Sequence, residues 1–227
     1  MDAIKPKAVD KGVTELPIAG ASSLTLRIEN LAASRGLRML FAGLSFAVSG
    51  GETLELRGPN GSGKSTLLRI LAGLTRQHAG SVTFSGSQVH PEDGVAIHYL
   101  GHLDAVKPTE TAGQQALFWA RFFGRKDEAA WKALERVGLT SRIDVPGRGL
   151  SAGQKRRLAL ARLLIEPRPV WLLDEPTAAL DMQGRAEMDL IVTEHVAAGG
   201  LVVAAMHGQG FPNARTLDVS ALAPAAA

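Results

Sequence analysis

The chain opens its patterned region with period-two alternation. Leu24, Leu26 and Ile28 alternate with polar neighbours, and Leu44–Val48 and Thr53–Arg57 read in the same way. Gly50-Gly51 sits between the last two runs as a turn. Strand signals return at Ser81–Ser85 and Ala96–Leu100. From Thr111 to Glu166 the period lengthens to that of helices. Phe118, Phe122 and Phe123 fall on one side of a first helix, and Trp131, Leu134 and Val137 on one side of a second. A third helix is expected to start at Ser151, run through Leu158, Ala161, Leu164 and Ile165, and stop at Pro167. Continuous apolar runs follow at Val170–Leu173 and Leu201–Met206, short enough to be buried strands, with a helix around Gly184–Ala197 between them. The pattern predicts an α/β core interrupted by a helical insert over about residues 109–166. Residues 1–22 alternate charged, Pro and Gly positions with few apolar ones and read as a flexible extension, and the Ala/Pro tail at 223–227 reads as frayed.

Chemistry enters at the joints of this pattern. Gly58-Pro59-Asn60-Gly61-Ser62-Gly63-Lys64-Ser65-Thr66 fits G-x-x-x-x-G-K-[ST], the Walker A phosphate loop. It follows a strand and opens a helix expected at Ser65–Ala72. Glycines let successive N–H groups turn inward around a polyphosphate, and the helix N-terminus adds its positive dipole end. Lys64 then reaches the β- and γ-phosphates, and the Ser65 hydroxyl ligates Mg²⁺. Val170–Leu173 ends in Asp174-Glu175, adjacent carboxylates at the C-terminal end of a strand, where α/β folds open their ligand crevice. In this Walker B arrangement Asp174 holds the Mg²⁺ shell and Glu175 polarises the attacking water. These two motifs specify a P-loop NTPase with ATP and Mg²⁺ as its cofactors.

A third motif narrows the class. Leu150-Ser151-Ala152-Gly153-Gln154 opens the helix before Walker B and resembles the L-S-G-G-Q signature of ABC ATPases, with Ala152 in place of the first Gly. Pro176–Asp181 looks like that family's D-loop, and His207 stands where the family has its switch histidine. The resemblance spans about residues 24–222 and implies one ABC ATPase domain over 23–222, of P-loop NTPase type with an antiparallel β subdomain and a helical insert. It also implies an active site shared between two copies, with Lys64 and Ser65 of one facing Ser151, Ala152, Gly153 and Gln154 of the other. Tyr99-Leu100-Gly101-His102, Ala105–Pro108, Phe118-Trp119-Ala120, the run from Leu150 to Leu164 and Ser34-Arg35-Gly36 are similar to the haem exporter protein A family of bacterial cytochrome c maturation. That likeness implies a haem-related ATP hydrolase on the cytoplasmic face of the inner membrane. Its partners are then an integral-membrane subunit resembling haem exporter protein B and further maturation subunits. The ATPase subunit of another small exporter, for drug or lipid, is the alternative, and a soluble ABC ATPase lacking a transport role stands behind both.

Two further positions, besides Ala152, depart from the ABC pattern. Arg35 occupies the place of an adenine-stacking aromatic and admits two readings, a guanidinium stacked on the base or a solvated arginine. His102 takes the place of the Q-loop Gln, with a hydrogen-bonding coupling role or simple packing as its alternatives. Thr109–Gln115 is an irregular form of the stretch that follows that loop.

Composition changes little in this picture. The 227 residues are 45% hydrophobic, enough for a substantial core, and carry no Cys, which excludes disulfides and thiolate metal sites. A formal charge of +3 is a mild bias. No apolar run reaches the ~20 residues of a membrane span. Lys155-Arg156-Arg157 reads as a solvated basic face, and no interleaved aromatic platform points to nucleic acid. His78, His90, His98 and His195 show no metal-ligand spacing. Trp119, Phe122 and Phe123 are expected in the core, with part of that surface available to dock a partner helix.

Overall fold

The computed structural model describes residues 24–86, 89–90 and 94–220; the expected extension at 1–22 and tail at 223–227 lie outside them. Strands β1 (Thr25–Arg35), β2 (Arg38–Ser49) and β4 (Ala79–Ser85) form an antiparallel sheet in the order β2-β1-β4. Strands β3 (Thr53–Arg57), β7 (Ile97–Leu100), β8 (Val170–Asp174), β9 (Leu201–Ala205) and β10 (Arg215–Asp218) form a parallel sheet in the order β10-β3-β9-β8-β7. A two-residue pair, β5 (Val89–His90) with β6 (Gly94–Val95), lies between β4 and β7 in the chain. The helices are α1 (Lys64–Leu71), α2 (Ala112–Phe122), α3 (Asp127–Arg136), α4 (Ala152–Ile165) and α5 (Met182–Ala197). The α/β class with an antiparallel β portion and helices between β7 and β8 is therefore the expected one. No described helix is long and apolar enough to cross a membrane.

The central parallel strands, β8 up to Asp174 and β9, are unbroken apolar runs because both of their faces are covered. Val170 and Leu172 of β8, with Leu201, Val203 and Ala205 of β9, face a core shared with α1 and the antiparallel sheet. Trp171, Leu173, Val202 and Ala204 face the opposite core, built with α2, α3, α4 and α5. The strand order has a functional consequence. β9 lies between β3 and β8, so the loop leaving β9 emerges between the phosphate loop and the Asp174-Glu175 end.

Several sequence expectations are corrected. The hairpin strands β1 and β2 run well past the apolar stretches that announced them. β1 shifts register between Ile28 and Leu31, Leu31 and Ala33, and Ala33 and Ser34, and each bulge breaks the period-two signal. Phe122 is not core: it is 66% exposed, and Phe118 beside it is exposed as well, while Trp119 and Phe123 are half-buried. The buried stripe of α2 is made instead by Ala112, Gly113, Gln115, Ala116 and Ala120. Arg156 is not solvated but 2% exposed. Arg157 is half-buried and pairs with Asp181.

Candidate functional site

The phosphate loop owes its shape to three left-handed glycines. Gly58, Gly61 and Gly63 have φ of 130°, 80° and 103°, a region closed to most side chains. At Gly63 a Cβ would also stand 3.0 Å from the ring of Phe41, so β2 packs directly beneath the loop. Pro59, Asn60 and Gly61 are exposed at its rim, Thr66 lies in the first turn of α1, and the Ser62 hydroxyl is buried without a hydrogen-bond partner among the described residues. Lys64 is buried, and its Nζ donates to the carbonyls of Gly58 (2.8 Å) and Pro59 (3.0 Å). Burial lowers the Lys64 pKa, opposed by the carboxylates of Glu175, Asp174 and Asp218. A polyphosphate in the loop brings the negative charge that a desolvated ammonium lacks.

Asp174 and Glu175 lie across β9 from this loop. Ser65 Oγ donates to Asp174 Oδ1 at 3.0 Å, while Asp174 Oδ2 is buried and has no hydrogen-bond partner among the described residues. An orphaned carboxylate oxygen beside a hydroxyl is the donor set Mg²⁺ takes in phosphate sites, where water and phosphate complete its six oxygens. Among the described residues no group of three or more His, Cys, Asp or Glu is placed to hold a metal. Glu175 takes a left-handed backbone, φ 52°, and its N–H donates to the Ala205 carbonyl at 3.0 Å. Two histidines bracket its carboxylate: His207 Nε2 stands 3.3 Å from Oε1, and His102 Nδ1 stands 3.5 Å from Oε2. Glu175 is 31% exposed, open enough for water to reach it.

The signature residues form their own unit. Ser151 caps α4 in a reciprocal box: its Oγ accepts from the Gln154 N–H (3.2 Å), and the Gln154 side chain accepts from the Ser151 N–H (3.0 Å). Ser151 and Ala152 are exposed. A Cβ on Gly153 would lie 2.7 Å from the Ala179 carbonyl, so glycine allows the 176–181 loop to approach the helix. Asp181, at the end of that loop, caps α5 and has a lowered pKa, held first by the Gly184 N–H and then by Arg157. Among the described residues no hydrogen bond or ion pair joins Ser151–Gln154 to the 58–66 loop. Arg35 is exposed at the tip of the β1–β2 hairpin, opposite Arg38, and the body of that hairpin reaches the phosphate loop through Leu40 and Phe41.

Sequence reasoning missed the supports behind these loops. Glu55, 1% exposed on β3, accepts from the Phe211 N–H and from Arg57. Arg57 Nη1 donates to the Gly208 carbonyl at 2.5 Å, which anchors the segment just after His207. The sequence shows only Glu55 and Arg57 at alternate positions of a strand, and nothing in it says that Glu55 is buried.

Comparison with known proteins agrees with this geometry. Residues 41–178 match the ABC transporter family model. The chain is 48% identical over 185 residues to the cytochrome c biogenesis ATP-binding export protein CcmA of Chelativorans sp. (strain BNC1), covering 81% of this chain and 92% of that one. It is 46% identical over 212 residues to the protein of the same name from Paramagnetospirillum magneticum, covering 90% and 98%. Among solved structures, an ABC transporter ATP-binding protein of Pyrococcus furiosus superposes with a TM-score of 0.73 at 18% identity, over 88% of this chain and 99% of that one. A dimeric ATP-binding cassette in a post-hydrolysis state, bound to ADP and Pi, superposes at 0.69 with 23% identity, over 81% and 88%. The chain belongs to the ABC transporter family as an ATP-binding, ATP-hydrolysing subunit of the cytochrome c biogenesis export group.

Proposed function

We propose that the chain couples ATP hydrolysis to the export or delivery of haem for cytochrome c biogenesis. It does so at the cytoplasmic face of the bacterial inner membrane, bound to an integral-membrane subunit resembling haem exporter protein B. The observation that carries the chemistry is the Glu175 carboxylate, bracketed by His207 and His102 beside the unpartnered oxygen of Asp174. The 58–66 loop cradles the triphosphate, with Lys64 turning from its two carbonyls to the β- and γ-phosphates. Ser65 and Asp174 would hold Mg²⁺, which would supply charge neutralisation at the phosphate oxygens. Glu175 orients and polarises the attacking water, and His207 and His102 hold the carboxylate in line. Ser151 and Gly153 of a second copy close over the γ-phosphate with the N-terminus of α4. That contact exists only while the γ-phosphate is attached, so hydrolysis releases the dimer and drives the partner. The haem assignment is supported by the relatives' shared role in cytochrome c biogenesis.

Deletion of the gene followed by complementation tests both halves. Wild-type chain should restore haem-stained c-type cytochromes, whereas Glu175→Gln should not. Normal cytochromes in the deletion strain would refute the haem assignment, and ATPase assays on the purified chain would still judge the site.

A further inference from the structure

Arg156 lies in a basic run on α4, yet its side chain is 2% exposed. Its two terminal nitrogens serve four acceptors. Nη1 donates to the Gly101 carbonyl (3.1 Å) and to Asp104 Oδ1 (2.8 Å). Nη2 donates to the carbonyl of Asp174 (2.8 Å) and to that of Glu175. Three of these four acceptors are main-chain carbonyls, and they belong to two loops leaving the adjacent parallel strands β7 and β8. Burying a cation with one carboxylate partner costs stability that an apolar side chain of similar size would avoid. What the apolar side chain lacks is a planar fork that grips two loops at once.

We propose that Arg156 is a positioning residue for ATP hydrolysis, fixing the backbone of Glu175 against the loop that carries His102. Glu175 sits at φ 52°, a strained conformation for a non-glycine residue that persists only when its surroundings over-determine it. Ala205 holds its N–H, and Arg156 holds its carbonyl. His102 lies between Gly101 and Asp104, the two residues gripped by the other nitrogen. One guanidinium therefore sets both ends of the contact between His102 and Glu175. It also stands roughly one and a half turns along the helix that Ser151 caps, so a shift of α4 is transmitted to both loops. A lysine keeps the charge but, as a point donor on a flexible stem, cannot span the four acceptors.

The inference rests on Glu175 being the group that acts on water, and the experiment separates the two. Steady-state ATPase kinetics are measured on the full-length chain carrying Arg156→Lys, Asp104→Ala or Glu175→Gln, with thermal melting of each. Arg156→Lys should lower kcat about tenfold or more, as a misplaced catalytic group does, with the KM for ATP within about twofold of wild type. Asp104→Ala, which trims one anchor on a partly exposed loop, should lower kcat about threefold, again at constant KM. It decides the matter if Arg156→Lys fails to fold. Wild-type kcat in Arg156→Lys, or in Asp104→Ala where that variant decides, overturns the inference, as does a fall in kcat matched by a rise in KM. Should Glu175→Gln keep turning over, the reading of Glu175 fails; a silent Glu175→Gln beside an unaffected Arg156→Lys removes Arg156 alone.

Discussion

Acidification should destabilise this protein through two buried histidines that take no part in hydrolysis. His98 on β7 lies opposite Trp171 in the register with β8, and His195 on α5 stacks on that Trp171 at 3.8 Å with the rings 8° apart. Burial pushes both imidazoles down from 6.5 to about 4. At His98 the Glu166 carbonyl opposes this, while Arg168 and Arg162 add to it. At His195 the backbone of Leu201 and Pro169 opposes it, and His98 adds to it. A depressed histidine pKa means that the unfolded chain binds more protons between about pH 4 and 6.5, so stability falls as pH drops through that window. At about pH 5 the linkage relation gives roughly 2 kcal/mol lost per histidine, or about 4 kcal/mol for the pair, against a typical domain stability of 5–15 kcal/mol. Urea unfolding between about pH 7 and pH 5 measures this directly. His195→Phe keeps an aromatic ring against Trp171 and removes one titrating group, so it should reduce the loss by about half. Stability that is flat over this range in the wild type, or a loss unchanged in His195→Phe, would refute the reasoning.

Four further outcomes are expected. Glu175→Gln should bind ATP normally, hydrolyse it at least about a hundredfold more slowly and elute as a dimer when ATP is present; near-normal turnover would remove Glu175 from its role. Mixing Lys64→Ala with Ser151→Arg chains should recover part of the hydrolysis that each has lost alone, because each heterodimer keeps one intact composite site; wild-type rates in either single variant would end the shared-site model. Gly153→Ala should push the Ala179 carbonyl away and lower ATPase activity more than it lowers the melting temperature, as read by paired kinetics and calorimetry. His102→Ala should lose stimulation by the membrane subunit more than basal turnover, while His102→Gln keeps much of both; equal coupled rates in His102→Ala and wild type would leave His102 a packing residue.

The elements legible in the chain are those whose chemistry constrains residue type. Gly58, Gly61 and Gly63 had to be glycine for their dihedral angles, and β8 and β9, covered on both faces, had to read as unbroken apolar runs. The edge strand β10 escaped notice because it presents exposed side chains at Arg215, Thr216 and Asp218, leaving no alternation to read. Phe118 and Phe122 show the opposite failure: periodicity groups side chains on a face and is silent on whether anything covers that face. Arg156 was invisible for a further reason. Its burial depends on carbonyls 18 to 55 residues away, and carbonyls carry no sequence signature.

The missed residues share a design. The loop after β7, the turn after β8 and the segment after His207 are each restrained by charged side chains. Arg156 restrains the 101–104 and 174–175 loops. Glu55 and Arg57 restrain the segment after His207, joined by Arg185, whose guanidinium donates to the carbonyls of Gln209 (3.1 Å) and Gly210 (2.6 Å). At Gly210 a Cβ would meet the Glu55 carboxylate at 2.4 Å, so only glycine permits this closeness. Charge is better suited to the task than apolar packing, because the groups to be held are main-chain carbonyls and an N–H, which would otherwise be left without partners on burial. The front of the crevice is treated differently: Glu175, His102 and His207 remain partly open to solvent. In the proposed dimer this division lets Ser151 and Gly153 of the second copy meet loops whose backs are already fixed. ATP-driven closure then has to order the interface and not the catalytic backbone, which lowers the entropic cost of assembling the site.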